Sequence, residues 1–243
     1  MRKLIISIII LIVAWLAITF IFKPAEYLFP SFFSVINSFN NNKEVFLLNT
    51  LNTLTEVIVG FIIANIIGLI LAIMAIYYPK LEQILTLVAL ILKTVPIIAI
   101  APLLVLWFGH GIWSKIAAVT LSCFIPIFIN IMSASKNIEK KYKELISLYN
   151  LNNSQKIFYF ILPGLIPYLL SAFKISSSLA IVGALVSEFI SANKGLGYLI
   201  ISNYYSMNIE GVFVCIIISS IIGIILYNIC DYAEKRIAIK RIQ

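Results

Sequence analysis

Residues 140–167, KKYKELISLYNLNNSQKIFYFILPGLIP, place basic, apolar and helix-terminating residues between two long hydrophobic runs. Residues 136–151 are long enough for a short helix. LNNS at 151–154 then supplies a turn, in which Asn153 or Ser154 caps a second short helix that ends near Pro163 and Gly164. The segment therefore predicts a helical hairpin in water. Some of its apolar side chains need a protein partner, because one helix lying on lipid headgroups cannot hide them all; they are Leu145, Ile146, Leu148, Tyr149 and Leu151.

A second interpretation of this hairpin is equally good on physical grounds alone. Its lysines and apolar residues also suit a basic amphipathic segment that rests on the anionic inner leaflet of a membrane. The residue pattern by itself leaves the two interpretations open.

The composition indicates an integral membrane protein. Of the 243 residues, 62% are apolar and only 12% are charged, about half the charged fraction of a soluble domain. Membrane topology explains the net charge of +8 better than a nucleic-acid partner does. The three cysteines lie in or beside apolar runs without metal-ligand spacing, so we expect reduced packing residues.

Six apolar runs are long enough to cross a bilayer as helices of roughly 20 residues. They occupy residues 4–22, 51–78, 84–108, 116–135, 168–187 and 211–229. The first run is too long for a signal-peptide core and lacks a small-residue cleavage site, so we expect an uncleaved span. Pro96 and Pro102 predict a kink in the third run. The expected fold is all-α and polytopic, with one membrane domain over residues 1–243.

The lysine and arginine residues of the loops predict the orientation. With the N-terminus in the cytoplasm, twelve of them, including Lys240 and Arg241, fall inside and four fall outside. Short cytoplasmic loops retain positive charge, so both termini are expected inside. The hairpin of residues 136–167 then lies in the cytoplasm, and the longer outer loops are residues 23–50 and 188–210.

The hairpin resembles the EAA loop of ABC importer permeases. That pattern is Glu-Ala-Ala, three residues, Gly, nine residues, Ile, any residue, Leu-Pro. The corresponding positions are Glu144, Leu145, Ile146, Asn150, Phe160, Leu162 and Pro163. The spacing matches throughout, although Leu145 and Ile146 replace the alanines, Asn150 the glycine and Phe160 the isoleucine. Asn is the next best residue after Gly for a left-handed helix terminator, which is the backbone we expect at Asn150.

Further stretches resemble the permeases that import nitrate, sulfonates, taurine, or pyrimidine and riboflavin compounds. They are LKTVPIIAIAPLLVLWFGHGIWSKIAAV at 92–119, SEFISANKGLGYLI at 187–200, FPSFFSV at 29–35 and NTLTEVIVGFIIANIIGLILA at 52–72. The resemblance implies a type I importer permease in a bacterial-type plasma membrane, most simply a homodimer. Its implied partners are ABC ATPase subunits, which bind ATP and Mg²⁺ and receive the EAA loop, and an extracytoplasmic solute-binding protein. This chain is expected to hold no cofactor and no metal itself.

No enzyme constellation is present in the sequence. His110 is a single histidine in an outer loop, and no GxxxxGK[ST] motif occurs, so ATP hydrolysis is expected on another chain. The main alternative is a secondary transporter or channel that needs no ATPase. It predicts a chain of interhelical carboxylates or a symmetric pair of broken helices, and neither is evident.

Polar residues within the spans are the candidates for a translocation path or gate, because a buried charge needs a cavity or a partner; they are Glu56, Lys93, Thr94, Ser177 and Glu188. For Glu56, pairing with a lysine is as good an expectation as contact with solute. Glu188 could serve a gate or pair with Lys194. Ser177 equally suits tight helix packing, and Lys174, near the cytoplasmic end of its span, is expected to snorkel as an orientation anchor.

The sequence says least about the transported solute. Glu56 stands where the resembling group is expected to carry a basic residue, which disfavours a small anion. We therefore expect a pyrimidine or vitamin-like compound rather than a sulfonate, taurine or nitrate.

Overall fold

A computed structural model describes residues 2–239, and over this range all regular structure is helical. Lys240 and Arg241, which the orientation prediction used, lie outside the described residues. The elements in chain order are α1 (Arg2–Phe22), α2 (Phe32–Asn41), α3 (Lys43–Tyr77), α4 (Pro79–Thr94), α5 (Ile97–Phe108), α6 (Ile112–Lys141), α7 (Lys143–Leu148), α8 (Asn153–Lys156), a π turn (Ile157–Ile161), α9 (Leu162–Ser191), α10 (Leu196–Tyr205) and α11 (Ile209–Ile239).

The predicted all-α, polytopic class is confirmed. Four stretches of the described chain are long and apolar enough to cross a membrane: Lys43–Tyr77, Ile112–Lys141, Asn153–Ser191 and Ile209–Ile237. The bent pair α4–α5 adds a fifth if it counts as one span. The apolar part of α1, Ile9–Phe22, is shorter, so the count of six spans stays a prediction.

The third predicted span, residues 84–108, is two helices rather than one. α4 and α5 meet at an angle of 107°, and Val95 between them is extended, with ψ at 121°. The ring of Pro96 disfavours the helical conformation for the residue before it, and α4 ends at Thr94. The kink predicted at Pro96 is therefore confirmed as a complete break, whereas α5 continues through Pro102.

α3 begins eight residues earlier than predicted, so residues 23–50 are not one long loop. Ser31 caps α2 by accepting a hydrogen bond from the amide of Ser34 at 3.1 Å. α3 then starts at Lys43, and its buried Phe46 stacks on Phe39 of α2 with ring centroids 6.0 Å apart. The contact between Phe39 and Phe46 thus joins the first turn of α3 to α2, ahead of the apolar run from which the span was predicted.

The most extensive contact between helices is that of α6 with α9, and α3 and α11 pack against these two helices. The side chains of Ile127, Phe128 and Ile131 on α6 are fully buried. Small residues allow the helices to approach closely: a Cβ atom built on Gly60 of α3 would lie 2.6 Å from the side chain of Val119. The result is a compact bundle with α7 and α8 at the start of α9 and α10 at its far end.

α1 is attached to the bundle through one aromatic cluster. The indole of Trp15 donates to the carbonyl of Pro30 at 3.0 Å, and its ring contacts Phe29, Phe32 and Phe213. Phe213 belongs to α11, so this cluster joins the first and last helices of the described chain.

Candidate functional site

The hairpin begins as a continuation of α6. α6 runs to Lys141, α7 covers Lys143–Leu148, and the chain then reverses at Asn150, whose φ is +47°. The left-handed backbone predicted at Asn150 is confirmed. Asn tolerates this conformation better than most residues because its short polar side chain bonds locally.

The second arm of the hairpin differs from the prediction in two ways. Its cap is Asn152, not Asn153 or Ser154: the Asn152 side chain accepts from the amide of Gln155 at 2.8 Å, and the Gln155 side chain accepts from the amide of Asn152 at 3.0 Å. This reciprocal pair is a capping box. The arm also does not end at Pro163 and Gly164 but runs on into α9, giving one helical stretch over Asn153–Ser191.

The π turn explains why Pro163 does not end the helix. In an α-helix, a proline ring clashes with the carbonyl four residues earlier. Here the backbone is wider, since the amide of Leu162 bonds to the carbonyl of Ile157, five residues back. A local π bulge of this kind accommodates the proline, and the helix passes from the hairpin into α9 without a break.

Three contacts fasten the hairpin to the end of α6. Lys156 Nζ lies 2.8 Å from Glu139 Oε1, and the rings of Tyr142 and Phe160 have centroids 5.3 Å apart. A Cβ atom on Gly164 would come within 2.9 Å of the Ile138 side chain, so the backbones lie very close there. The hairpin is therefore bound to α6 and continuous with α9.

The outer surface of the hairpin is apolar and uncovered. Five large side chains are between 42% and 74% exposed: Leu145, Leu148, Tyr149, Phe158 and Tyr159. Ile146 and Leu151 are half-buried. The prediction that the hairpin leaves apolar side chains uncovered is confirmed, and we call these five residues the hairpin surface.

The residues of the EAA-like pattern occupy this hairpin in order. Glu144 lies exposed in the first turn of α7. Of the two residues that follow it, Leu145 is exposed and Ile146 is half-buried. Leu162 is half-buried and Pro163 exposed, in the first turn of α9.

At the far end of α9, Glu188 lies buried between α3 and the start of α10. Its Oε1 accepts from the hydroxyl of Thr53 at 2.6 Å and its Oε2 from the amide of Gly197 at 2.5 Å. The amides of Gly195 and Leu196 in turn donate to Asn49 Oδ1 at 2.7 Å and Thr53 Oγ1 at 2.8 Å. The free amides at the start of α10 are thus satisfied by side chains of α3 and α9.

One of the two expectations for Glu188 is wrong. Glu188 does not pair with Lys194 within the described chain, because its oxygens face Thr53 and Gly197. The two glycines that follow it, Gly195 and Gly197, are buried. Gly195 has a φ of +112°, and a Cβ atom there would overlap the Glu188 carboxyl group, so only glycine fits.

Glu56 is buried beside this cluster, only 5% exposed, and contacts the carboxyl group of Glu188. A lysine, Lys115, lies nearby but is not ion-paired with Glu56. Its Nζ atom donates to the carbonyls of His110 and Ser191 at 2.8 Å and to the Ser191 hydroxyl at 3.0 Å. Glu56 and Lys115 line a pocket of about 270 Å³ that opens beside His110 and Lys194.

The break between α4 and α5 borders a cavity of about 420 Å³ against α6 and α9. Its wall is mostly apolar, with Lys93, Ser122 and Asn130 as polar members. The structure thus places Lys93 on a cavity, as a translocation role requires, whereas the neighbouring Thr94 donates to the carbonyl of Ile91 at 2.7 Å.

Ser177 lies inside the bundle. It is fully buried, and its hydroxyl donates to the carbonyl of Lys174 at 2.8 Å. Ser177 does not line the cavity beside Lys93 or the pocket beside Glu56, and its burial agrees with the other expectation for this residue, tight helix packing.

Lys174 is ion-paired rather than snorkelling freely. Its Nζ atom lies 2.5 Å from Glu234 Oε2 and 3.2 Å from Asp231 Oδ1 on α11. Ser171 also donates to Glu234. These contacts tie α9 to α11 near the hairpin end of α9, and the sequence argument missed both acidic partners.

The motif geometry agrees with the comparison to known proteins. Residues 64–239 match the family described as the binding-protein-dependent transport system inner membrane component. The chain belongs to this family. It is the permease component of an ABC import system and a multi-pass membrane protein.

Several curated relatives of the permease cover most of its length. It is 30% identical to the formylaminopyrimidine transport permease protein of Halalkalibacterium halodurans, over 82% of this chain and 80% of the relative. It is 29% identical to a probable ABC transporter permease protein of Haemophilus influenzae, over 93% of each chain. A putative aliphatic sulfonates transport permease protein of Bacillus subtilis is 29% identical over 73% of this chain and 64% of the relative.

Sequence reasoning missed most of the polar partners around Glu188. One signal was available: Asn49, Thr53 and Glu56 recur at helical spacing, so they share one face of α3. A second was the acidic residue followed by Gly-Leu-Gly in residues 188–197, which becomes meaningful once the permease is seen to fold the glycines onto the carboxylate.

Proposed function

We propose that this permease is the membrane-spanning subunit of an ATP-driven importer that moves a small solute into the cytoplasm by alternating access. Partner ATPase subunits bind ATP and Mg²⁺, and an extracytoplasmic binding protein delivers the solute. The observation that carries the proposal is the hairpin surface: five exposed apolar side chains on an element fastened to two spanning helices. An uncovered apolar surface of this kind suits a protein partner.

In this mechanism the ATPase subunit binds the hairpin surface and Glu144. Closure of the ATPase pair moves the hairpin, and the Glu139–Lys156 and Tyr142–Phe160 contacts pass that motion to α6. The unbroken helix through the π turn passes it to α9. ATP and the loaded binding protein need only favour the outward-facing state by a few kcal/mol to drive the cycle.

The proposed orientation puts the hairpin in the cytoplasm and the start of α10 outside. The hairpin carries Lys140, Lys141, Lys143 and Lys156, which supports a cytoplasmic position. Both termini are then cytoplasmic. The Glu188 cluster lies at the outer end of α9, where the binding protein would dock.

Two copies of the chain would form the translocation path, with the cavity beside Lys93 on the inner wall of each. A homodimer is the simplest assembly, because the hairpin surface of each copy can engage one of two ATPase subunits. Lys93, Ser122 and Asn130 are the polar groups that would meet the solute in a wall that is otherwise apolar.

We propose a pyrimidine or vitamin-like compound as solute. A wall of apolar residues with three hydrogen-bonding side chains suits a flat, mostly neutral molecule better than a small strongly hydrated anion. The relative from H. halodurans is named as a formylaminopyrimidine permease, which supports the same class. Glu56, in contact with Glu188, adds no positive charge for an anion.

The coupling proposal is tested with Glu144→Arg in vesicles that contain the permease, its ATPase subunits and its binding protein. ATP-driven uptake should be abolished and ATPase recruitment weakened, because the reversed charge lies on the gripped face. Glu44→Arg, an exposed charge reversal in the first turn of α3, is the control for recruitment in detergent and should behave as wild type. Undiminished uptake by Glu144→Arg, or full uptake without any ATPase, would overturn the proposal.

The solute class is tested separately on the binding protein. Calorimetric titrations with formylaminopyrimidine, riboflavin, taurine and nitrate should find tight binding for a heterocyclic compound. Tight binding of taurine or nitrate would overturn the proposed class while leaving the coupling proposal intact.

A further inference from the structure

The carboxyl group of Glu56 includes a buried oxygen atom that has no hydrogen-bond partner. Within residues 2–239, the Oε2 atom of Glu56 is shielded from solvent and no donor bonds to it. Leaving a buried acceptor unsatisfied costs about 1–3 kcal/mol, and more if it is charged. An ionised Glu56 would therefore be strongly disfavoured at this position.

The donors around Glu56 are already engaged elsewhere. A lysine ammonium has three protons, and Lys115 directs its three to the carbonyl of His110 and to both oxygens of Ser191. The hydroxyl of Thr53 and the amide of Gly197 point at Glu188 instead. No protein donor in this cluster is left for Glu56 Oε2.

The nearest acceptor group is the carboxyl of Glu188, which contacts that of Glu56. The helix geometry agrees, since Thr53 and Glu56 are three residues apart on α3 and Thr53 bonds to Glu188. Two carboxylates that share a buried site cannot both stay ionised. A proton on Glu56 reduces both costs, because it removes the charge from the unpaired carboxyl group and provides a donor for a hydrogen bond to Glu188.

The charges around the two carboxyl groups are consistent with one proton bound between Glu56 and Glu188. Glu188 accepts from Thr53 and Gly197, the pattern of an ionised carboxylate. Lys115 of α6 is the buried cation beside it. One lysine, one carboxylate and one neutral carboxylic acid sum to zero net charge, as a buried site requires.

The remaining titratable groups are peripheral to the pair. His110 and Lys194 line the adjoining pocket, and the buried Cys215 of α11 lies near Glu188. None of these three groups donates a hydrogen bond to Glu56 Oε2.

We propose that Glu56 and Glu188 form a proton-binding site, with the proton on Glu56 and the hydrogen bond directed to Glu188. The bound proton joins α3 to the start of α10, since Glu188 and Thr53 also hold the first amides of that helix. Loss of the proton leaves two adjacent negative charges, which push α3 away from α9. Proton binding is thereby linked to the packing of the outer end of the bundle, independently of ATPase docking.

The direct test is infrared spectroscopy of the purified permease in detergent at neutral pH. Wild type should show the C=O stretching band of a buried protonated carboxyl group. The band should be lost in Glu56→Gln and retained in Glu44→Gln, a matched change at an exposed site. Absence of the band in wild type overturns the proposal, and so does a band that persists in Glu56→Gln.

A second measurement does not rely on a single band. The folded protein binds a proton that an exposed glutamate in the unfolded chain does not hold at neutral pH, so stability should fall as the pH rises. The melting temperature of wild type should decrease from neutral to alkaline pH, and Glu56→Gln, a neutral donor of similar shape, should lose much of that slope. Equal slopes in wild type and Glu56→Gln would overturn the proposal.

Discussion

The backbone amide of Gly197 donates to the Oε2 atom of Glu188 at 2.5 Å. This bond places the start of α10 directly on a buried carboxylate, where the unpaired amides of a helix N-terminus favour negative charge. The acidic residue and the two glycines nearby in the sequence therefore form one structural unit.

Gly197→Ala tests this unit. The added Cβ atom would lie 2.7 Å from the carbonyl of Leu185 and 2.8 Å from the Glu188 side chain. Overpacking of this kind costs about 1–3 kcal/mol, so the melting temperature in detergent should fall. Gly223→Ala is the control, because its Cβ would meet only Ile181 at 3.7 Å, and it should be neutral or slightly stabilising. Equal melting temperatures for the two variants would contradict the close approach.

Lys156→Glu tests whether the hairpin transmits force to α6. The ion pair with Glu139 is half-exposed on one side, so its loss should change stability by only about 0.2–1 kcal/mol. ATP-driven uptake should fall clearly although the stability changes little, because the hairpin is then less firmly attached to α6. The double swap, Glu139→Lys with Lys156→Glu, should restore uptake; failure to restore it would assign Lys156 a role other than this pair.

Leu148→Ser tests the hairpin surface. Leu148 is 74% exposed, so its removal should leave the melting temperature of the permease alone unchanged, within about 0.5 kcal/mol. Binding of the ATPase subunits should weaken by about tenfold, which corresponds to about 1.4 kcal/mol. Leu47→Ser, at a leucine 53% exposed on α3, is the control, and equal affinities for both variants would exclude Leu148 from the interface.

Lys174→Met tests the ionic contact between α9 and α11. It would leave Glu234, about one-fifth exposed, without its cation, whereas Asp231 would keep Lys235 as a partner. An unpaired, partly buried carboxylate at Glu234 should lower stability by about 1–3 kcal/mol. Lys235→Met removes a 70% exposed partner of Asp231 and should cost at most about 0.5 kcal/mol. Thermal melts that rank the two variants in the opposite order would contradict this assignment.

Sequence reasoning was most successful where the signal is local. The left-handed backbone at Asn150 and the interruption at Pro96 depend on the conformational preferences of single residues and their neighbours. The exposed apolar face of the hairpin depends on how few neighbours two short helices can offer each other. These features were predicted because no distant part of the chain can alter them much.

Sequence reasoning was least successful where contacts across the bundle decide the end of a helix or the hydrogen-bond partner of a side chain. The predicted stop at Pro163 was wrong because a π turn, packed through the buried Ile157 and Ile161 against the rest of the bundle, carries the helix onward. Of the two alternatives for Glu188, the pairing with Lys194 was wrong, because Thr53 and Gly197, which lie on other elements, occupy its oxygens.

The sequence by itself determined the membrane class, the order of the apolar helices and the permease motif, because hydrophobicity and residue spacing are properties of the chain read locally. Only the tertiary structure decided the angle of 107° between α4 and α5 at the predicted interruption and the burial of Glu56 against Glu188. Thr53 and Glu188 are 135 residues apart. Their contact forms only when α3 and α9 pack side by side, and that packing gives a pair of carboxyl groups its shared proton site.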